Sequence, residues 1–184
     1  MNPAASCASA LAIFGDSRSS LVSAMEAVLG RRPRLQVLSA SRCLAPDWSV
    51  PPLSPDADIL LRWTAYRLGS IDLSRHVAAV DLSALDPASA NSLQMGSVGL
   101  AQVLEDPRIH KMEARVGLLH EWGILDQKLR RSFEESGTEG PSASRRYVFT
   151  MDGVPAGVVV EVLPCELWRR LTQSGHPEGA RSRT

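Results

Sequence analysis

The sequence predicts an α+β domain in which an antiparallel sheet carries helices on one face. Several segments alternate apolar and polar residues, as strands with one covered face do. Short turns such as Gly69-Ser70 and Asp152-Gly153 join consecutive strands. Helical stretches interrupt these hairpins without the regular strand–helix alternation of a parallel sheet. About five or six strands and two or three helical stretches are expected in all.

The first predicted helix lies in the segment SSLVSAMEAVLG. Leu21, Met25, Val28 and Leu29 recur there at helical spacing. Gly30 is a suitable C-cap, because glycine adopts the left-handed conformation at low cost. The following segment, RLQVLSA, is typical of a strand, and the proline-rich segment 44–58 is predicted to be a loop.

The middle of the chain predicts a hairpin followed by two helical segments. ILLRWTAYRLG and HVAAVDLSAL are its two strands. Asp86-Pro87 opens a helix that ends at Gly96, and VGLAQVLED forms a further helical turn or two. The pattern of IHKMEARVGLLHEWG is compatible with either a strand or a helix.

The C-terminal part ends the sheet with a second hairpin. YVFTMDGVPAGVVVEVLP contains two strands around Asp152-Gly153, and CELWRRL suggests one helical turn. The polar segment 126–144 reads as a surface helix end or a loop. The predicted organisation is an N-terminal extension (1–15), a single domain (16–170) and a disordered tail (171–184).

The composition excludes several classes of function. The chain has 184 residues with 20 basic and 20 acidic side chains, so nothing in its charge calls for nucleic acid or a membrane as partner. Its three cysteines form no CxxC pair and are expected to be ordinary thiols. The N-terminus does not read as a signal peptide. We therefore expect a cytoplasmic protein.

The familiar cofactor motifs are absent from the sequence. It contains no phosphate-binding GxxxxGK[ST] or GxGxxG, no HExxH and no GxSxG, and its four histidines are scattered singly. No metal and no organic cofactor are therefore expected. A site on this chain would have to use a few charged groups in an apolar pocket.

Two charged residues interrupt apolar strand patterns: Arg62 in ILLRWTAY and Glu161 in GVVVEVLP. A charge inside a buried strand is costly unless it is paired or faces a ligand. One alternative is that each side chain lies on a solvated face of the sheet. If Glu161 points inward, Arg62 is a natural counter-charge. Arg62 would suit a small-molecule carboxylate, and desolvation would raise the pKa of Glu161 enough to make it a general acid.

Three segments resemble the chorismate pyruvate-lyases, enzymes that make 4-hydroxybenzoate, and their relatives of the chorismate lyase-like fold. They are DSRSSLVSAMEAVLG, the stretch from LLRWTAYRLG through SVGLAQVL, and RRYVFTMDGVPAGVVVEVLP. The resemblance implies a six-stranded antiparallel sheet with helices on one face enclosing a ligand cavity. It also implies a cofactor-independent carbon–oxygen lyase that removes pyruvate from chorismate.

The resemblance assigns a role to four residues. Arg62 matches the arginine that binds the substrate carboxylate, and Glu161 matches the catalytic glutamate. Leu100 and Leu21 match residues whose backbone contacts the ligand from two lids. The spacing of eight residues from Gly153 to Glu161 exceeds that of some members by one, which would put Val160 at the catalytic position if no gap is allowed.

Two other functions stay open on the same fold. One is an enzyme that cyclises or eliminates on another small acid of secondary metabolism. The other is a non-catalytic small-molecule-binding protein. The fold also serves as the sensing domain of transcription regulators, which we disfavour because fewer than 20 residues precede the first matching segment.

Overall fold

The computed structural model describes residues 7–15, 20–43, 53–54, 56–119, 131 and 140–173. In chain order its elements are α1 (Ala8–Ile13), α2 (Leu21–Leu29), β1 (Arg34–Cys43), β2 (Ile59–Leu68), β3 (Ile71–Asp81), a 3₁₀ turn (Leu82–Ala84), α3 (Pro87–Gln94), α4 (Leu100–Val103), β4 (Ile109–Leu118), β5 (Ser142–Met151), β6 (Val154–Pro164) and α5 (Cys165–Gln173). Among the helices of these residues, none has the length and apolar character needed to cross a membrane. Most of the proline-rich loop, the polar insert and the tail predicted from the sequence lie outside the described residues.

The six strands form one sheet in the order β1-β2-β3-β6-β5-β4, and every neighbouring pair is antiparallel. The predicted fold class is therefore confirmed. The segment that the sequence left open between strand and helix is the edge strand β4. The C-terminal helix α5 is longer than the one turn expected, with nine residues.

Local signals in the sequence fix the ends of the helices. Gly30 follows α2 with a φ of 67°, the left-handed conformation that glycine adopts most readily. Asp86 caps α3, because its side chain accepts hydrogen bonds from the backbone N–H groups of Ala88 and Ser89, and Pro87 occupies the first helical position.

The helices cover one face of the sheet in two groups. At one end α1, α2 and α5 enclose an apolar cluster that includes Phe14, Met25 and Trp168. At the other end α3 and α4 enclose a second cluster around Leu93 and Phe149. Between the two groups of helices, the same face of the sheet borders a cavity. The opposite face is also buried at its centre, where Val77, Val160 and Val162 pack with Leu119.

A disulfide between Cys7 and Cys165 joins the start of α1 to the start of α5. The expectation that all three cysteines are thiols is therefore wrong for these two, and Cys43 is a free, exposed cysteine. This pairing could not be predicted from the sequence, because 158 residues separate the two cysteines. The division of the chain into extension, domain and tail stays a prediction, and the cytoplasmic location does too.

A β-bulge in β6 decides which face its side chains meet. The turn at Asp152 and Gly153 has positive φ at both residues, 49° and 84°, as a tight hairpin requires. Thr150 pairs with Pro155, but Phe149 pairs with Gly157, so Ala156 has no partner in the ladder. The extra residue of spacing is absorbed there, and Glu161, not Val160, lies on the face that the helices cover.

We predict that Gly157→Ala destabilises the fold. A Cβ at this position would lie 2.3 Å from the Phe149 ring and 2.8 Å from the carbonyl oxygen of Ala79. Overpacking of this kind costs about 1–3 kcal/mol, and chemical denaturation measures it. Gly69→Asn is the control, because its turn position is open and asparagine tolerates positive φ. Equal stability of Gly157→Ala and the native chain would contradict the close approach.

Candidate functional site

A cavity of about 430 Å³ lies between the covered face of the sheet and the two helix groups. Its floor comes from alternate residues of β2, β3, β6 and β5, and its rim includes the first residues of α2 and α4. All four residues singled out from the sequence border it: Leu21, Arg62, Leu100 and Glu161. The structure thus brings together residues up to 140 positions apart in the chain.

Arg62 lies in the middle of β2 with only 2% of its surface exposed. Its Nη2 donates to the carbonyl oxygen of Val98 at 2.8 Å. Among the described residues, its Nε and Nη1 have no hydrogen-bond partner. Desolvation lowers the pKa of the guanidinium below its usual value, although arginine remains protonated in proteins. Two unpartnered donors on a buried cation beside a cavity favour an anionic ligand.

Glu161 pairs with Arg145 on the neighbouring strand β5, not with Arg62 as the sequence suggested. The Nε of Arg145 donates to Oε2 of Glu161 at 2.6 Å, and both side chains are buried. Two aromatic rings flank the guanidinium, with the Phe14 centroid at 5.3 Å and the Tyr147 centroid at 5.7 Å. Each of these two buried charged side chains therefore has a partner of opposite charge.

His76 lies directly opposite Glu161 on β3 and also borders the cavity. Its Nε2 shares a hydrogen bond of 2.8 Å with Oγ of Ser74. Burial lowers the pKa of His76 to about 4, against the opposing effect of the Glu161 charge. The imidazole is therefore neutral at neutral pH. Burial, with the Glu161 charge, raises the pKa of Tyr66 to about 12, so its phenol is neutral as well.

The two leucines lie where the helices meet the cavity. Leu21 is the first residue of α2 and is buried. Leu100 begins α4 after Gly99, whose backbone N–H donates to the side chain of Gln102 at 3.0 Å. Val98, which precedes Gly99, is the residue that holds Arg62. The segment before α4 therefore connects the rim of the cavity to the buried cation.

Sequence reasoning missed Arg145, His76 and Tyr147. A register counted from the Asp152-Gly153 turn without a bulge would place Ser144 opposite Glu161, whereas the bulge at Ala156 places Arg145 there. The usable signal was the pattern Arg145-x-Tyr147, which puts a cation and an aromatic ring on one face of a strand. For His76 the signal was its position directly before the apolar run Val77–Val80 of β3.

The sheet order and the cavity define a class: the chorismate lyase-like fold, which the C-terminal domains of GntR-family regulators share. A transcriptional regulator of the GntR family from Enterococcus faecalis V583 is 15% identical, with a TM-score of 0.51 over 71% of this chain and 93% of that one. The C-terminal domain of PhnF is 13% identical, with a TM-score of 0.52 over 73% and 84%. No protein-family model and no curated protein sequence matches the chain. At these identities the likeness shows the fold alone.

The comparisons contradict the predicted carbon–oxygen lyase, because a solved structure that shares the fold is described as a transcriptional regulator. The geometry supplies a physical reason for the correction. The lyase prediction used Glu161 as a general acid, whereas in the structure its Oε2 accepts a hydrogen bond from the Nε of Arg145 at 2.6 Å. The fold and the cavity are unaffected by this correction. Only the predicted elimination of pyruvate is withdrawn.

We predict strong energetic coupling between Arg145 and Glu161. Arg145→Met should destabilise the protein by about 3–5 kcal/mol, because it leaves a buried carboxylate without its partner. The double variant Arg145→Met/Glu161→Leu should cost less than the sum of the two single changes. Denaturant unfolding of all four proteins measures the difference. The exposed pair of Arg170 and Glu166 gives the control cycle and should show little coupling. Additive costs at the buried pair would contradict the ion pair.

His76 should make stability depend on pH in a defined window. Its pKa is about 4 in the folded protein and about 6.5 in the unfolded chain, so between these values the unfolded chain binds more protons. Stability therefore rises from pH 4 to pH 6.5, by an amount on the order of 3 kcal/mol. Unfolding measured across this range should show a flatter profile for His76→Gln. The exposed His110 supplies the control, His110→Gln. An unchanged profile in His76→Gln would contradict the assignment.

Proposed function

We propose that this chain is a small-molecule-binding domain that holds an organic anion in the cavity and releases it unchanged. The observation that carries the proposal is Arg62. Its guanidinium is buried, borders the cavity and keeps two donors without a partner among the described residues. A buried donor without a partner is costly, and a carboxylate can accept two parallel hydrogen bonds from one guanidinium.

The electrostatics of the cavity support one anionic group on the ligand. In the part of the chain that the structure describes, the two other buried charges of the cavity, those of Arg145 and Glu161, form an ion pair. The neighbouring ionisable groups His76, Tyr66 and Tyr147 are neutral at neutral pH, because burial lowers the pKa of the first and raises the pKa of the other two. Arg62 is then the buried cation that a bound anion would neutralise.

The size and the walls of the cavity favour a small ligand with a flat or apolar body. A volume of about 430 Å³ lies within the range of about 300–1,000 Å³ found for small-molecule sites. Tyr66 and Tyr147 contribute aromatic rings to the lining, and Leu35, Leu104 and Val159 contribute apolar side chains. An aromatic carboxylate matches both the buried cation and these walls.

The regulator neighbours favour a signalling role over turnover. One solved structure with this fold is described as a transcriptional regulator. A sensor must bind its ligand reversibly and transmit the difference between the free and bound states. We extend this role to the present chain as part of the proposal. The lids at Leu21 and Leu100 are the parts that a bound ligand would contact first, and each begins a helix.

The proposal predicts anion-selective binding that depends on Arg62. Calorimetric titration with 4-hydroxybenzoate and other small organic acids should show saturable binding, whereas the neutral 4-hydroxybenzamide should bind far more weakly. Arg62→Gln should weaken acid binding about tenfold to a hundredfold, because hydrogen bonds to charged groups are worth about 1.5–3 kcal/mol. Arg170→Gln is the matched control, as Arg170 is exposed on α5.

Two results would contradict the proposal. The first is an absence of binding for every acid tested, or equal binding of the acid and its amide. The second is chemical conversion: chromatography of the bound acid after release should recover it unchanged, and any product would refute a non-catalytic role. Thermal unfolding of Arg62→Gln separates lost binding from lost structure.

A further inference from the structure

We propose that the Cys7–Cys165 disulfide is a redox latch that holds the cavity in its high-affinity form. The inference rests on the proposed function, because it concerns the affinity of the same site. Both cysteines are completely buried, and the bond links two helices that begin 157 residues apart. Neither cysteine borders the cavity, so any effect of the disulfide on the ligand is indirect.

The first step from the disulfide to the cavity is α1 itself. This helix packs against α5 and β5 and buries Ala10 and Ile13. Phe14 follows directly after it and is completely buried. The ring of Phe14 lies over the guanidinium of Arg145, at 5.3 Å.

The second step is the buried ion pair. Arg145 donates to Glu161 at 2.6 Å, and the carboxylate of Glu161 borders the cavity. The rings of Phe14 and Tyr147 both lie close to this guanidinium, with centroids at 5.3 Å and 5.7 Å. Loss of Phe14 would hydrate the ion pair and weaken it, because water screens the attraction. The cavity wall would then lose the fixed carboxylate beside the ligand.

The two helices respond differently when the bond is broken. α5 has a separate anchor, because Trp168 is completely buried and its Nε1 donates to the carbonyl oxygen of Leu73 at 2.8 Å. α1 has six residues, too few to form a stable helix without its packing against α5 and β5. Reduction should therefore release α1 and leave α5 in place, which shifts the population toward the weakly binding form.

The chemical step is a two-electron reduction by a dithiol. A reductant such as dithiothreitol breaks the S–S bond, transfers two electrons and two protons to give the Cys7 and Cys165 thiols, and is itself oxidised to a cyclic disulfide. Because both sulfur atoms are buried, the reductant reaches them when α1 opens. Ligand binding and reduction are linked equilibria. A ligand that binds the disulfide form more tightly than the reduced form therefore makes the disulfide harder to reduce, by the same factor as the ratio of the two affinities.

The experiment uses the full chain carrying Cys43→Ala, so that Cys7 and Cys165 are its remaining cysteines. Thiol titration after denaturation should count none before reduction and two after it. Binding of 4-hydroxybenzoate is measured calorimetrically in both forms; dithiothreitol is uncharged and does not compete for Arg62. We expect the dissociation constant to rise at least about fivefold on reduction. Amide exchange in residues 8–14 and around Arg145 should become faster.

Variants separate the latch from general loss of stability. Cys7→Ala/Cys165→Ala in the same background should reproduce the reduced form without reductant. Phe14→Leu keeps an apolar side chain and the disulfide but removes the ring over Arg145, so it should weaken binding in the oxidised protein. Cys43→Ala alone should match the native chain, because Cys43 is exposed.

The outcomes distinguish failure of the latch from failure of the proposed function. Equal dissociation constants in both redox forms would overturn the latch and leave the binding function intact. Two titratable thiols before reduction would also overturn it. If neither form binds 4-hydroxybenzoate or any other acid, the proposed function fails and the effect of the disulfide on affinity fails with it. Amide exchange then decides only whether the disulfide holds α1 in place: unchanged exchange overturns this link, and faster exchange in α1 and near Arg145 supports it.

Discussion

Burying charged side chains on the covered face of the sheet costs free energy, and the arrangement of the cavity follows from this cost. Arg62, Arg145 and Glu161 are all buried there, at 2%, 1% and 6% exposure. Each buried charge must be paired, hydrogen-bonded or matched by a ligand. Arg145 and Glu161 meet this requirement with each other, which leaves Arg62 for the backbone of Val98 and for whatever enters the cavity. The same constraint explains why neutral forms of His76 and Tyr66 surround the pair.

Helix α1 contributes to the apolar core, and the residue after it, Phe14, also contacts the buried ion pair. A guanidinium flanked by Phe14 and Tyr147 keeps its attraction for Glu161 because water is kept away. The disulfide that fixes α1 closes a loop of most of the chain, and such closure removes unfolded-state entropy worth roughly 2–5 kcal/mol. Stability and the electrostatics of the cavity are therefore joined through one short helix. Neither the effect of α1 on stability nor its effect on the cavity can be predicted from the sequence of this helix alone.

The fold was more predictable than the site because local patterns report on local structure. Alternation and turn residues placed β2, β3, β5 and β6, and the glycine and aspartate caps placed the ends of α2 and α3. Arg62 and Glu161 stood out because a charge in an apolar run is rare. The partner of Glu161 could not be derived, since it depends on a bulge, and the disulfide depends on packing between the two ends of the chain.

The extra residue at Ala156 shows how a β-bulge keeps a side chain on one face of a sheet when the strand is one residue longer. Without a bulge, one more residue after the hairpin turn would turn Glu161 to the opposite face, where Val77 and Val160 are packed. The ladder instead loses one pairing at Ala156, and Gly157 lets Phe149 approach the strand closely at the next position. The cost of an unpaired residue is smaller than the cost of a carboxylate buried among valines. The position of the charge therefore determines the register of the strand, and the register brings Arg145 and His76 to either side of Glu161.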